Sequence, residues 1–165
     1  MKYRPAPWYV AEKLRVGAFS TILGVSLEEE DRAGAGNWSC LALGDSCLFQ
    51  VRGEQLVFAC PLSASSQFSS RPLLLCSEPE RNLRALDSIK QYGGQWQSDD
   101  RFFLMTDALA CWFLEGHERG VSPWRALRDI GTRDFSKGFP QWIRELRTSG
   151  ALKNDDVTLL RIDMA

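Results

Sequence analysis

Three acidic positions occupy the same kind of place in this sequence. Asp45 sits in Gly44-Asp45-Ser46, directly after the apolar run 38–43. Asp107 sits in Thr106-Asp107-Ala108, directly after the run 102–105. Asp155 and Asp156 immediately precede Val157-Thr158, which opens the run 157–162. Strands of one sheet can end on a common rim, and carboxylates gathered there repel one another unless a cation compensates. Hard divalent ions such as Mg²⁺ or Mn²⁺ take oxygen ligands of this kind and keep several waters. Two such ions lower the pKa of a bridging water and steady a phosphoryl group during in-line attack. That chemistry needs no nucleophilic side chain and no histidine, and His117 is the only histidine in the sequence. An aspartate closing a strand is also ordinary turn chemistry, so each acid taken singly fits either role.

The segments that must position these acids are legible as short strands followed by helices. A helix end is expected over 8–15, where Trp8, Ala11 and Leu14 have helical spacing. Residues 17–27 predict a strand, and the acidic, glycine-rich stretch 28–36 predicts a solvated loop. The runs 38–43, 47–51 and 55–59, separated by short turns, predict an antiparallel meander with a turn at Arg52-Gly53-Glu54. Serine-rich 61–71 reads as a loop, and 72–76 is a further short apolar run. Leu83, Leu86 and Ile89 suggest a helix over 78–90 that Gly93-Gly94 breaks. Residues 101–105 form a buried strand after the Ser98-Asp99-Asp100 turn, and 108–115 an apolar helix. Ser122-Pro123 opens another helix, 140–147 gives a third ending near Gly150, and 157–162 is the last strand. Strands first and helices later predict an α+β protein with mostly antiparallel sheets. No internal repeat or linker divides the chain, so 1–165 is expected to form one domain.

The totals narrow the function classes. The 165 residues carry a formal net charge of −1, with 44% hydrophobic and 25% charged residues, ordinary for a globular protein. No strong positive field exists to attract nucleic acid or an acidic membrane. No apolar run approaches the ~18 residues of a membrane span, and the first residues do not resemble a signal peptide. Five cysteines form no CxxC pair and lie largely in apolar runs; buried, reduced thiols and a cytoplasmic location are expected. The sequence Cys76-Ser77-Glu78-Pro79-Glu80-Arg81 is one residue too short for the phosphate loop of a cysteine-dependent phosphatase, and its two acids would repel the anion. Nucleotide-binding glycine loops are absent. Trp38, Trp112, Trp124 and Trp142 are expected in the core. Arg144, Arg147 and Lys153 either cap a helix or receive a phosphate.

Gly44-Asp45-Ser46, Thr106-Asp107-Ala108-Leu109 and Asp155-Asp156-Val157-Thr158 occur in the order and separation found in the type 2C metal-dependent protein phosphatases. Residues 44–52 and 100–109 resemble bacterial members, and 17–27 resembles the strand opening this half of their fold. The resemblance covers about 8–162. It implies a partial αββα sandwich and hydrolysis of phosphoserine or phosphothreonine by metal-activated water. It also implies Mn²⁺ or Mg²⁺ as cofactor, with Asp107 and Asp155 as metal ligands and Asp45 as an accessory or structural acid.

The sequence departs from the family at Cys47, Ala108 and Asp156, where arginine, glycine and asparagine are usual. The family's further acid near the first strand and its early Asp-Gly motif have no counterpart here. Little or no phosphatase activity is therefore expected from this chain alone. The expected partners are a phosphoprotein substrate or a protein partner, a second copy or a complementing N-terminal half included. The second function class is a non-catalytic phosphatase-like binding module.

Overall fold

The computed structural model describes residues 17–30, 34–130 and 135–165; the helix end expected over 8–15 lies outside them. The strands are β1 (Phe19–Ser20), β2 (Ile22–Glu30), β3 (Ala35–Leu43), β4 (Cys47–Arg52), β5 (Gln55–Cys60), β6 (Leu75–Cys76), β7 (Lys90–Gln97), β8 (Asp100–Met105) and β9 (Leu159–Asp163). The helices are α1 (Leu83–Leu86), α2 (Asp107–Glu118), α3 (Pro123–Asp129) and α4 (Phe135–Thr148). One sheet has the order β2-β3-β7, a second β5-β4-β8-β9, and β1 pairs with β6. Every pairing among them is antiparallel. The fold is α+β, as the order of strands and helices predicts. No helix among the described residues is long and apolar enough to cross a membrane.

The central strands β4 and β8 of the four-stranded sheet are buried on both faces, and the two-residue side-chain period of a strand divides their residues between two cores. Phe103 and Met105 of β8 and Phe49 and Val51 of β4 pack with Leu109, Phe113, Trp124, Leu127 and Ile143 of the helices. Phe102 and Leu104, with Leu48 and Cys60, face the other sheet and meet Trp38, Cys40 and Trp96. This is why β8 reads as an unbroken apolar run. Trp38 and Trp124 are core residues, and Trp112 and Trp142 pack edge to face with ring centroids 5.1 Å apart. All five cysteines are buried thiols outside any disulfide.

Several expectations need correction. Within the stretch expected as a loop, residues 28–30 and 35–36 are strand. The β2–β3 hairpin zips from Ile22↔Leu43 to Glu30↔Ala35, so the acidic residues belong to a paired strand. The meander is also broken, because β3 and β4 join different sheets. The chain changes sheet at Gly44, whose φ of +98° is a conformation that suits glycine. The helix expected over 78–90 shrinks to a short 3₁₀ segment (Pro79–Arg81) and the single turn α1. Leu83 and Leu86 are 73% and 54% exposed, so their spacing marks no buried face. Gly93-Gly94 does not break a helix but lies inside β7, opposite Ser39 and Trp38. A Cβ on Gly94 would stand 3.0 Å from the Trp38 indole, so glycine admits the ring to the sheet.

Candidate functional site

The register places the ends of three strands on one rim. Cys47 pairs with Met105, and Met105 with Leu159, forming a row across β4, β8 and β9. Since β8 runs antiparallel to both neighbours, its end coincides with their beginnings. Asp45 precedes β4, Asp107 follows β8, and Asp155 precedes β9, so all three expected acids leave the sheet on the same side.

Each is fixed by local chemistry. Gly44 turns the chain into Asp45, and a Cβ there would fall 2.5 Å from Thr21 Cγ2. The hydroxyls of Thr21 and Ser46 share a hydrogen bond of 2.9 Å, tying this turn to the residue just before β2, and the Cys47 thiol donates to the Asp45 carbonyl at 3.4 Å. Asp107 is the first residue of α2, where exposed backbone N–H groups and the helix dipole favour negative charge. The Thr106 side chain does not cap α2 but reaches sideways. Its Oγ1 donates to the Asp156 carbonyl at 3.1 Å and accepts the Thr158 N–H at 3.0 Å. The Asp156 N–H donates to Asp155 Oδ1 at 2.8 Å, and Arg147 Nη2 donates to the Asp155 carbonyl. Arg147 therefore braces the acidic turn, a contact that neither the expected helix cap nor the phosphate-receiving role describes.

The rim is electrostatically loaded. Burial first, then the negative charges of Asp107 and Asp155, push the Asp45 carboxyl above its ordinary value. Beneath it the Cys47 thiol is pushed up to about 12, chiefly by burial, which makes it an inert core residue. His117 lies elsewhere, its ring 5.9 Å from that of Trp124. Cys76 is buried, its backbone N–H and carbonyl held by Asn82 at 2.7 and 2.8 Å.

The donors suit a hard divalent ion in kind, since carboxylate oxygens are the ligands such ions take. They fall short in number: among the described residues no three His, Cys, Asp or Glu side chains group closely enough to hold a metal ion.

Beside Asp45 opens a cleft of about 290 Å³ that sequence reasoning missed. Arg71 and Lys90 line it together with Leu62, Pro72 and Leu73. In the sequence Lys90 falls in the expected helix 78–90 and Arg71 in the serine-rich loop 61–71, so no sequence signal joins them. Only the pairing of Lys90 with Ala42, across β7 and β3, brings one of them to the Asp45 turn.

No protein-family model matches the chain, and no curated protein matches it. Among solved structures, the phosphatase domain of the cell fate determinant SpoIIE from Bacillus subtilis is similar, with a TM-score of 0.47 and 20% identity. The alignment covers 87% of this chain and 55% of that one, so the chain spans about half the length of the structure it matches.

Proposed function

We propose that this chain is a type 2C-like phosphatase domain whose rim of Asp107, Asp155 and Asp45 is its share of a divalent-metal centre for phosphoserine and phosphothreonine hydrolysis. The observation that carries this reading is the convergence of three motifs, far apart in sequence, on the Cys47–Met105–Leu159 row. Asp107 and Asp155 would hold Mn²⁺ or Mg²⁺, with Asp45 as an accessory acid. A bound ion supplies charge that acidifies water and steadies a phosphoryl group. The chain's own contribution is to fix the carboxylates. The α2 N-terminus carries Asp107, and Thr106 and Arg147 pin the Asp155 turn. Further oxygen ligands must come from water or from residues beyond this set, so binding is weak and turnover by this chain alone is slight or absent.

Calorimetric titration with Mn²⁺ tests the reading. Weak saturable binding, lost in both Asp107→Asn and Asp155→Asn, is expected, with no release of phosphate from a phosphopeptide. A chain that ignores Mn²⁺ at millimolar concentration has no metal rim, and the assignment fails. Rapid Mn²⁺-dependent turnover would show the site to be complete and overturn the view that it needs more ligands.

The alternative is a non-catalytic phosphatase-like module, favoured by the shortage of grouped donors. It differs in predicting no phosphate release even when a second polypeptide supplies further carboxylates.

A further inference from the structure

The cleft beside Asp45 has a built wall. The loop after β5 is tied to α2 through Ser65, whose backbone N–H and hydroxyl donate to the two carboxylate oxygens of Glu118 at 2.7 and 2.6 Å. Gln67 Oε1 accepts the N–H groups of Ser63 and Ala64 at 2.8 and 2.9 Å. Ser69 Oγ accepts the Arg71 N–H at 3.3 Å and fixes the turn that presents the Arg71 side chain. The opposite wall is the end of β3 and the start of β7, which presents Lys90. Among the described residues no ion pair neutralises Arg71 or Lys90.

Two unneutralised cations and a wall of Leu62, Pro72 and Leu73 suit a flexible chain with apolar stems and anionic heads. The space is enough for a few side chains, not for a folded domain. Among the described residues Asp45 is the one acid in the lining, and it stands at the end next to the rim. It repels carboxylates from that end and leaves Arg71 and Lys90 as the place where they settle. A polypeptide lying in the cleft therefore passes directly beside the acidic rim.

We infer that this cleft docks an anionic peptide segment, with Arg71 and Lys90 receiving its acidic side chains. Resting on the phosphatase reading above, the inference names the substrate class as phosphoproteins with acidic residues flanking the phosphorylated one.

The experiment is binding rather than turnover. A fluorescently labelled, Glu-rich, unphosphorylated octapeptide is titrated with the chain and followed by anisotropy, beside the same peptide with Gln for Glu. The Glu peptide should bind more tightly than the Gln peptide, and added salt should erase the difference. The double variant Arg71→Glu/Lys90→Glu should weaken Glu-peptide binding about tenfold and favour a Lys-rich peptide instead. A misfolded variant would not gain that reversed preference. Equal binding of the Glu peptide by wild type and double variant, or no preference over Gln, overturns the inference. Asp107→Asn separates the two readings. Lost Mn²⁺ binding with unchanged peptide preference is expected. Absence of Mn²⁺ binding in wild type with a retained peptide preference sinks the metal rim alone. Mn²⁺ binding without the preference sinks the docking cleft alone.

Discussion

Thr106 and Thr158 hold each other twice: the Thr106 N–H donates to the Thr158 carbonyl at 3.3 Å, and the Thr158 N–H donates to Thr106 Oγ1 at 3.0 Å. One threonine thus joins the N-terminus of α2, which carries Asp107, to the turn that carries Asp155. The two acids hang from β8 and from the lead-in to β9, and this clasp continues the β8–β9 ladder beyond Met105 and Leu159.

Replacing Thr106 with valine keeps its volume and removes both hydrogen bonds of the hydroxyl. Its partners can turn to water, so the expected loss of stability is about 1 kcal/mol. The local effect should be larger. Amide hydrogen exchange at Thr158 is expected to accelerate about tenfold, and Mn²⁺ affinity to fall with it. Unchanged protection at Thr158 would mean that the ladder holds the turn without the threonine.

Asp45 should be a residue kept at the expense of stability. Burial and two neighbouring carboxylates raise its pKa in the folded chain. The folded protein therefore keeps this proton to higher pH than the unfolded chain does. Stability falls as pH climbs from the ordinary carboxyl value through the raised one. Above that interval the charged carboxylate is a standing cost, screened because Asp45 is only half-buried. Asp45→Asn is expected to stabilise the metal-free chain by about 0.5–1 kcal/mol at neutral pH. Urea denaturation should show the advantage vanishing as pH drops below the interval. A destabilised variant at neutral pH would show that Asp45 serves the fold.

The three acids were legible in the sequence because strand ends and turn residues are local signals. Their placement on one rim follows from antiparallel pairing, which the strand-rich, short-turn pattern also carries. What was not legible depends on contacts between distant residues. Lys90 to Gln97 contains two glycines and reads as a break. It is a strand because Trp38 lies against Gly94 and the whole of β3 pairs with it. Leu83 and Leu86 have the spacing of a helical face, yet among the described residues no surface covers them. The β3–β4 hairpin failed for the same reason. Three turn residues suffice to fold back onto the same sheet or to step to the other. The choice was made by the cores that Trp38 and Phe49 enter, one between the sheets and one beneath the helices.

Asp100 is fully buried and holds the two sheets in register. It accepts from Arg52 Nε and Nη2 at 2.8 Å each, from Gln50 Nε2 at 2.8 Å and from the Gln97 N–H at 3.0 Å. Gln50 extends the network to the other sheet, accepting Trp38 Nε1 at 3.1 Å and donating to the Gln95 carbonyl at 2.9 Å. Burial alone would raise the Asp100 carboxyl, but Arg52, the Gln97 N–H and Gln50 outweigh it and hold it below its ordinary value. The unfolded chain thus takes up this proton first as pH falls. The stability Asp100 confers is present at neutral pH and is lost on acidification through its lowered folded value. Asp100→Asn keeps the shape but turns an amide NH₂ towards a ring of donors. Arg52 is partly exposed and can find water, whereas Gln50 cannot, so a loss of about 2–3 kcal/mol is expected at neutral pH. Urea melts of wild type and variant should converge as the solution is acidified. A gap that stays constant with pH would place the stabilisation in packing and not in the carboxylate's charge.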